Sequence, residues 1–329
     1  MNEYFANDLK RTARSRLCTP IKGLLNRIDP PVIVLLYHRV ATLPLDPEQL
    51  AVTPDNFRAQ LRYLKKNFPV VRFEDDWTKR VTPSVAITFD DGYADNLHEA
   101  LPILEELELP ATFFITTGSI GAHTEFWWHE LEHLILGNSP LPSRFTLEGE
   151  HYGRSWPTVT GHDREKLYQE LVRLMNNADS ARRKGWLSRI RLWSGGDKRG
   201  IDSHRCMTVK ELQLLAGSRW VTIGAHTVTH SRLASLPPQA QREEITQSKR
   251  ALEGWLGHEI ATFSYPFGRK SDYTKESVAL CREAGFLKGA ANFPGQAHRW
   301  TNPHQIPRHL VRDWPMETFA AKVKGFRTR

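Results

Sequence analysis

The sequence is poor in cysteine, and this excludes two kinds of cross-linked protein. Among its 329 residues are three cysteines, Cys18, Cys206 and Cys281, which lie far apart and form no C-x-x-C pair. This spacing indicates neither a disulfide framework nor a thiolate zinc site, and it is typical of a reducing compartment. We expect Cys206 and Cys281 to be buried as small apolar side chains.

The sequence also lacks a long apolar run. No stretch approaches the roughly 18 residues that a membrane-spanning helix needs, and the N-terminus is polar, with no apolar core or cleavage motif. We therefore expect a cytoplasmic protein. Residues 19–28 can form a short amphipathic helix with basic residues nearby. This helix either packs on the domain or rests on anionic lipid at the inner face of the membrane.

Basic residues exceed acidic ones, but they are not arranged as in a nucleic-acid-binding groove. The net charge of +8 favours anionic partners. Because no basic run is interleaved with aromatic residues, we expect no nucleic-acid partner. An acidic glycan, a phosphorylated lipid carrier or a membrane surface would suit the charge equally well.

Short apolar strands alternate with amphipathic helices along most of the chain. This alternation predicts a parallel sheet, open or closed into a barrel. A capping box at Thr208 and Glu211 predicts the start of a helix. Other helices are predicted at 239–256, before Gly257, and at 274–284. Strands are predicted at 32–37, 85–89, 111–116, 220–226, 261–266, 288–292 and 306–311.

Residues from about 119 to 207 interrupt the alternation. They contain the aromatic cluster "EFWWHELEHL" and a long helical pattern from Arg164 to about Trp193. We interpret them as one largely helical insertion between consecutive strands. The histidines of this segment, His129 among them, are expected to be ordinary surface or core residues.

Polar residues stand where the predicted strands end. Chemistry in parallel α/β folds gathers at the carboxyl ends of the strands, so these side chains are expected to share one rim. They are His38, Asp90, Asp91, His226, Tyr265, Arg308 and His309.

The motifs "TFDDGY" and "HTVTH" together predict a metal site. Adjacent carboxylates such as Asp90 and Asp91 repel unless a cation lies beside them, although an ordinary Asp-Gly turn is the alternative. The H-x-x-x-H spacing of His226 and His230 predicts both imidazoles on one face of a helical turn. Two imidazoles and one carboxylate suit zinc or a similar divalent ion. The second aspartate could then accept a proton from water.

On these motifs the sequence resembles the polysaccharide deacetylases with a NodB-type domain, carbohydrate esterase family 4. The resemblance covers about residues 32 to 311, apart from the insertion. It implies a distorted (β/α) barrel, one divalent metal ion, expected to be zinc, and an N-acetylated sugar or glycan as substrate. It also implies that Asp90 is the general base and that Asp91, His226 and His230 are the metal ligands. We divide the chain into a helical extension, 1–31, and a NodB-type domain, 32–329.

The third motif departs from the family pattern. The family usually has R-x-P-Y-G, whereas this chain has "SYPFG", with Ser264 in place of the arginine. The Phe267 N–H can still help to bind an oxyanion, as the resemblance implies. From its strand position, Arg308 is expected to replace the missing cation near Asp90.

The usual closing motif of the family is not obvious at the C-terminus. Instead, "VLLYHRV" near the N-terminus resembles the circularly permuted subgroup of biofilm poly-N-acetylglucosamine deacetylases, in which the first strand supplies the acid histidine. His38 is therefore the expected general acid, and His309 is the alternative.

The resemblance predicts a metal-dependent N-deacetylase. Its substrate would be an amino sugar in a surface polysaccharide or in a lipid- or nucleotide-linked precursor. The alternatives are an amide or formyl hydrolase with a non-polymeric substrate and a non-catalytic glycan-binding module. Substrate contacts are expected from Tyr93, Tyr265, Trp127 and Trp128. The two tryptophans can instead form the core of the insertion.

Overall fold

A curled parallel β-sheet organises the fold. The computed structural model describes residues 26–122, 125–148, 153–196 and 202–327. Across the main sheet the strands follow the spatial order β11 (Lys288–Ala290), β10 (Thr262–Ser264), β9 (Val221–Ala225), β6 (Ala111–Ile115), β5 (Ser84–Phe89), β1 (Val32–Tyr37) and β12 (His309–Leu310), and β4 (Val70–Val71) also pairs with β5. All of these pairs are parallel.

The central strands are buried on both faces, which explains their continuous apolar sequences. All six residues of β1, "VIVLLY", and all six of β5, "SVAITF", are buried. Parallel sheets require helices on both faces, so their strands lack the apolar–polar alternation of half-exposed strands. An isolated parallel bridge between Ala290 and Ile306 connects the β11 edge to the segment before β12. The predicted distorted (β/α) barrel is thus confirmed as a curled, incompletely closed sheet.

Nine α-helices of seven or more residues, several shorter helical turns and two small strand pairs complete the described residues. The helices are α1 (Pro54–Asn67), α2 (Leu101–Leu107), α3 (Trp127–Leu136), α4 (Gly161–Asn176), α5 (Ser180–Ser194), α6 (Val209–Ala216), α7 (Pro238–Leu256), α8 (Lys275–Glu283) and α9 (Met316–Phe326). The strand pairs are β2 (Arg39–Val40) with β3 (Ala51–Val52), and the antiparallel β7 (Arg144–Leu147) with β8 (Arg154–Pro157). None of the described helices combines the length and apolarity needed to cross a membrane.

Capping chemistry sets several helix ends as predicted. Thr208 and Glu211 form the capping box of α6, and Thr274 caps α8. Gly257 ends α7 with a φ of 74°, a left-handed conformation that glycine adopts without steric cost. The long helical pattern from Arg164 to about Trp193 is divided into two helices, α4 and α5. Asp179 accepts a hydrogen bond from the Arg182 N–H and so starts a second helix, α5.

The helices α3, α4 and α5 and the β7–β8 hairpin pack around an apolar cluster of their own. Leu131, Leu171 and Ile190 are among its fully buried members. This arrangement fits the predicted insertion, whose boundaries stay a prediction. Of the predicted helix over residues 19–28, residues 19–25 lie outside the described residues and residues 26–28 are helical. Of the predicted extension 1–31, residues 1–25 lie outside the described residues.

Candidate active site

The carboxyl ends of β1, β5, β9 and β10 meet at one open cleft, in which about 230 Å³ is accessible to a water-sized molecule. Polar groups from separate strands line its floor, as expected for a parallel α/β fold. They are His38, Asp90, Asp91, His226 and His230.

Three buried side chains converge at the floor of the cleft. The Oδ1 atom of Asp91 lies 3.6 Å from His226 Nε2 and 3.3 Å from His230 Nε2. The three residues are between 1% and 7% exposed. Two ligands that are each about 2.0–2.1 Å from a tetrahedral ion lie about 3.4 Å apart. The separations therefore suit one shared cation.

A loop with left-handed residues, rather than a helical turn, brings the two imidazoles together. Thr227 and His230 have φ values of 63° and 54°, and Asp91 has 81°. The Thr227 Oγ1 accepts a hydrogen bond from the His230 N–H at 3.1 Å. The predicted helical turn is therefore wrong, although the predicted convergence is present. Such backbone strain in non-glycine residues is concentrated at functional sites.

Burial sets the charge state of the two imidazoles that face Asp91, and a hydrogen bond orients the His226 ring. His226 Nδ1 donates to the Ser264 carbonyl at 2.8 Å, which turns the Nε2 lone pair toward Asp91. Burial lowers the pKa of His226 and the pKa of His230, so both rings are neutral. Asp91 Oδ1 has no hydrogen-bond partner among the described residues. Burial, and then the charge of Asp90, raises the pKa of Asp91. This donor set fits a divalent cation.

Asp90 is held by a buried arginine. Arg308 donates from Nη1 to Asp90 Oδ1 at 2.7 Å and from Nη2 to Oδ2 at 2.6 Å. Ser264 Oγ donates to the same Oδ2 at 3.2 Å and accepts from Arg308 Nη2 at 2.8 Å. Burial alone would raise the pKa of Asp90, but the Arg308 guanidinium holds it well below its usual range. Arg308 thus lies where the sequence analysis expected a cation.

The sequence profile described as "Polysaccharide deacetylase" matches residues 78–177 and 198–286, more than half of the chain. The chain belongs to the polysaccharide deacetylase family. Hydrolases that act on acetamido groups are typical of this family, which also includes pseudoenzymes.

Individual polysaccharide deacetylases are similar over most of the chain. The Bacillus subtilis protein "Putative polysaccharide deacetylase YxkH" is 22% identical over 285 residues, which are 84% of this chain and 70% of that protein. Among solved structures, the Streptococcus pyogenes deacetylase PplD in complex with acetate has a TM-score of 0.55 at 17% identity and covers 89% of this chain and 98% of its own. IcaB from Ammonifex degensii has a TM-score of 0.54 at 18% identity, and the match covers 91% of this chain and 97% of IcaB. These structural likenesses show the fold.

Aromatic side chains form one wall of the cleft. Trp127, Trp128 and Phe267 all line it. The Trp128 ring lies 5.1 Å from the His230 ring and the Phe267 ring lies 5.0 Å from it. The buried Trp127 Nε1 has no hydrogen-bond partner among the described residues. The two tryptophans are therefore both part of the packed core and part of the cleft wall.

The tyrosines predicted to contact substrate lie elsewhere. The Tyr93 hydroxyl accepts a hydrogen bond from Trp128 Nε1 at 3.1 Å, and its ring lies under the Arg39 guanidinium. Tyr265 stacks on Tyr273 and donates its hydroxyl proton to the His304 carbonyl at 3.0 Å. Both tyrosines are at most 1% exposed and neither lines the cleft. This corrects the predicted substrate contacts, because both side chains belong to the core.

The two candidate acid histidines have different surroundings. His38 lines the cleft, and its buried Nδ1 has no hydrogen-bond partner among the described residues. His309 is 5% exposed, lies outside the residues that line the cleft, and stacks on Phe326 with 3.8 Å between ring centroids. The placement favours His38 over His309.

Several residues that line the cleft were not singled out from the sequence. Arg232 follows His230 by two positions. This closeness to the "HTVTH" motif is the one sequence signal that could have indicated that Arg232 lines the cleft. The other polar residues come from loops and helices, and no local sequence pattern indicates that these segments reach the cleft. They are Glu48, Asn176, Arg269, Asp272, Asn292 and Arg312.

Proposed function

We propose that this protein is a metal-dependent N-deacetylase that hydrolyses the acetamido group of an amino sugar. The substrate class is a surface polysaccharide or its lipid- or nucleotide-linked precursor. The observation that carries the proposal is the convergence of Asp91, His226 and His230 beside the Asp90–Arg308 pair in one cleft. Neither a glycan-binding module nor an ordinary Asp-Gly turn requires this set of groups.

Asp91, His226 and His230 would hold the cation. A divalent ion there would supply Lewis-acid polarisation of the amide carbonyl and would lower the pKa of a nearby water. The donor set suits zinc. The Phe267 N–H is proposed to stabilise the oxyanion together with the cation, by donating a hydrogen bond to it. This N–H is available because no backbone carbonyl among the described residues accepts a hydrogen bond from it.

Asp90 is the proposed general base. A carboxylate has about four lone-pair sites, and the Arg308 and Ser264 hydrogen bonds occupy three of them. One site is left to accept the proton of the attacking water. Arg308 keeps the group ionised at neutral pH and fixes its orientation, as an arginine with two parallel hydrogen bonds does.

His38 is the proposed general acid that protonates the departing amine. Burial lowers the pKa of His38 in the free protein to about 3, and the Asp90 carboxylate opposes that shift. To act as the acid, His38 would have to take up a proton, either one from solvent in the cleft or the one that Asp90 accepts from the attacking water. Departure of the amine without a proton would be costly, so His38 contributes mainly at the step in which the C–N bond breaks.

Acetate release tests the proposal. Purified protein is incubated with N-acetylated monosaccharides, oligosaccharides and lipid-linked glycans, with a chelator and after zinc is restored. We expect acetate from at least one glycan, loss of activity with the chelator and recovery with zinc. Asp90→Asn should retain bound metal but lose turnover by about 10²- to 10⁴-fold. Glycan binding without acetate release by wild type would reject the hydrolase, and release from small non-sugar amides alone would change its substrate class.

A further inference from the structure

We propose that His129, Glu132 and His204 form a second divalent-cation site, separate from the Asp91–His226–His230 site. His129 and Glu132 lie on α3, and His204 lies in the short helical turn Asp202–His204. The three residues are 3%, 5% and 4% exposed. One potential ligand atom from each lies within 4.8 Å of the other two.

The separations within this cluster suit a shared ion. Glu132 Oε2 lies 3.2 Å from His129 Nδ1, and Glu132 Oε1 lies 3.7 Å from His204 Nε2. The second distance is too long for a good hydrogen bond. Each is close to the separation of about 3.4 Å expected for two ligands of one tetrahedral zinc ion, with a different carboxylate oxygen of Glu132 facing each ring. They also resemble the 3.3 and 3.6 Å separations around Asp91.

The remaining imidazole nitrogens have the partners that metal-binding histidines usually have. His129 Nε2 is 2.9 Å from the Tyr93 hydroxyl, and His204 Nδ1 is 2.8 Å from the Ser203 hydroxyl. Such outer hydrogen bonds fix the ring and turn the other nitrogen toward the metal. Each ring thus has one nitrogen bonded to a hydroxyl and the other directed at Glu132.

The direction of the Tyr93 hydroxyl proton distinguishes two arrangements. The Tyr93 oxygen already accepts from Trp128 Nε1 at 3.1 Å and can accept a second bond, from His129 Nε2–H. The His129 Nδ1 lone pair then faces the Glu132 carboxylate, which is repulsive without a cation between them. If Tyr93 instead donates to Nε2, His129 Nδ1–H donates to Glu132 and no cation is needed.

A cation at this position would cross-link two distant segments. Glu132 and His204 come from opposite ends of the region between β6 and β9. Tyr93, which contacts His129, is two residues from Asp91. The ion would therefore fasten α3, and with it the Trp128 wall of the cleft, to the Asp202–His204 turn.

Metal stoichiometry of the full-length protein tests the second site. Metal-free protein is equilibrated with zinc by dialysis and the bound zinc is counted by mass spectrometry, with cobalt(II) absorption as an independent readout. We expect two equivalents in wild type, one in His129→Gln and one in the double variant Asp91→Asn, His230→Gln. His133→Gln is the matched control, because His133 is exposed on the same helix, and it should keep two equivalents.

One equivalent in wild type and none in the double variant would overturn the second site and leave the hydrogen-bonded arrangement. Circular dichroism checks that each variant is folded. If His129→Gln does not fold, the double variant alone decides, since the second cluster is the one other group of three candidate ligands among the described residues. Failure of the first site would appear separately, as an unchanged zinc count when Asp91 and His230 are replaced.

Discussion

Replacement of Arg308 by methionine is expected to leave the Asp90 carboxylate buried without a counter-charge. Arg308 is 1% exposed and contributes two hydrogen bonds of 2.7 and 2.6 Å to Asp90. Methionine fills part of the volume but supplies no N–H group. Removal of one partner from a buried ion pair typically costs about 3–5 kcal/mol. We expect a decrease of this size in the free energy of unfolding at pH 7.

The effect of Arg308→Met should depend on pH. Arg308 lowers the folded-state pKa of Asp90, although burial opposes it. The pair therefore stabilises the fold above the unfolded-state pKa of about 3.9, and this stabilisation is lost as pH falls through the folded-state pKa. The difference in unfolding free energy between wild type and variant should be largest near neutral pH and should decrease in acid.

Urea denaturation followed by tryptophan fluorescence, with a chelator present, measures this difference at several pH values. Arg39→Met is the control, because Arg39 is also 1% exposed and pairs with Asp95 at 2.9 Å. It should lose stability but leave the environment of Asp90 unchanged. Arg308→Lys should recover only part of the loss, since an ammonium cannot form the same paired hydrogen bonds. A change below about 0.5 kcal/mol for Arg308→Met at pH 7, the usual size for surface substitutions, would refute the reasoning.

Three further predictions follow from single contacts. His38→Gln should lower kcat by about 10²-fold or more, whereas His309→Gln should leave kcat near the wild-type value; equal effects in steady-state assays would contradict the acid assignment. Gly224→Ala should cost about 1–3 kcal/mol, because a Cβ there would lie 2.5 Å from an aromatic ring of β6, and an unchanged melting temperature would argue against this packing. Hydrogen bonds from Arg205 hold the pKa of Glu211 well below its usual range, so Glu211→Gln should destabilise the fold at neutral pH but not in strong acid. Thermal melts across pH check this, and a loss of stability that persists in strong acid would exclude the ion pair as its cause.

The positions of Asp90, Asp91 and His226 could be predicted because each follows a strand whose apolar sequence marks its own end. A parallel sheet brings such ends together whatever lies between them in the chain. Arg308 could be predicted from the missing arginine at Ser264, although it directly precedes β12 and does not follow a strand as the others do. These inferences depend on local sequence and on one general rule of topology.

The conformation of residues 226–230 could not be predicted from spacing. An H-x-x-x-H pattern suits a helix, but left-handed φ values at Thr227 and His230 form a loop instead. Tertiary contacts impose these values on residues that do not favour them. The cluster of His129 and His204 was also missed, because its members are 75 positions apart and no helical or strand periodicity relates them.

Anomalous X-ray diffraction from crystals grown with zinc tests the central claim most directly. We predict a zinc peak about 2.0–2.2 Å from a carboxylate oxygen of Asp91 and from the Nε2 atoms of His226 and His230. Crystals of protein that releases acetate in a zinc-dependent manner, but with no anomalous peak among these three side chains, would contradict the account.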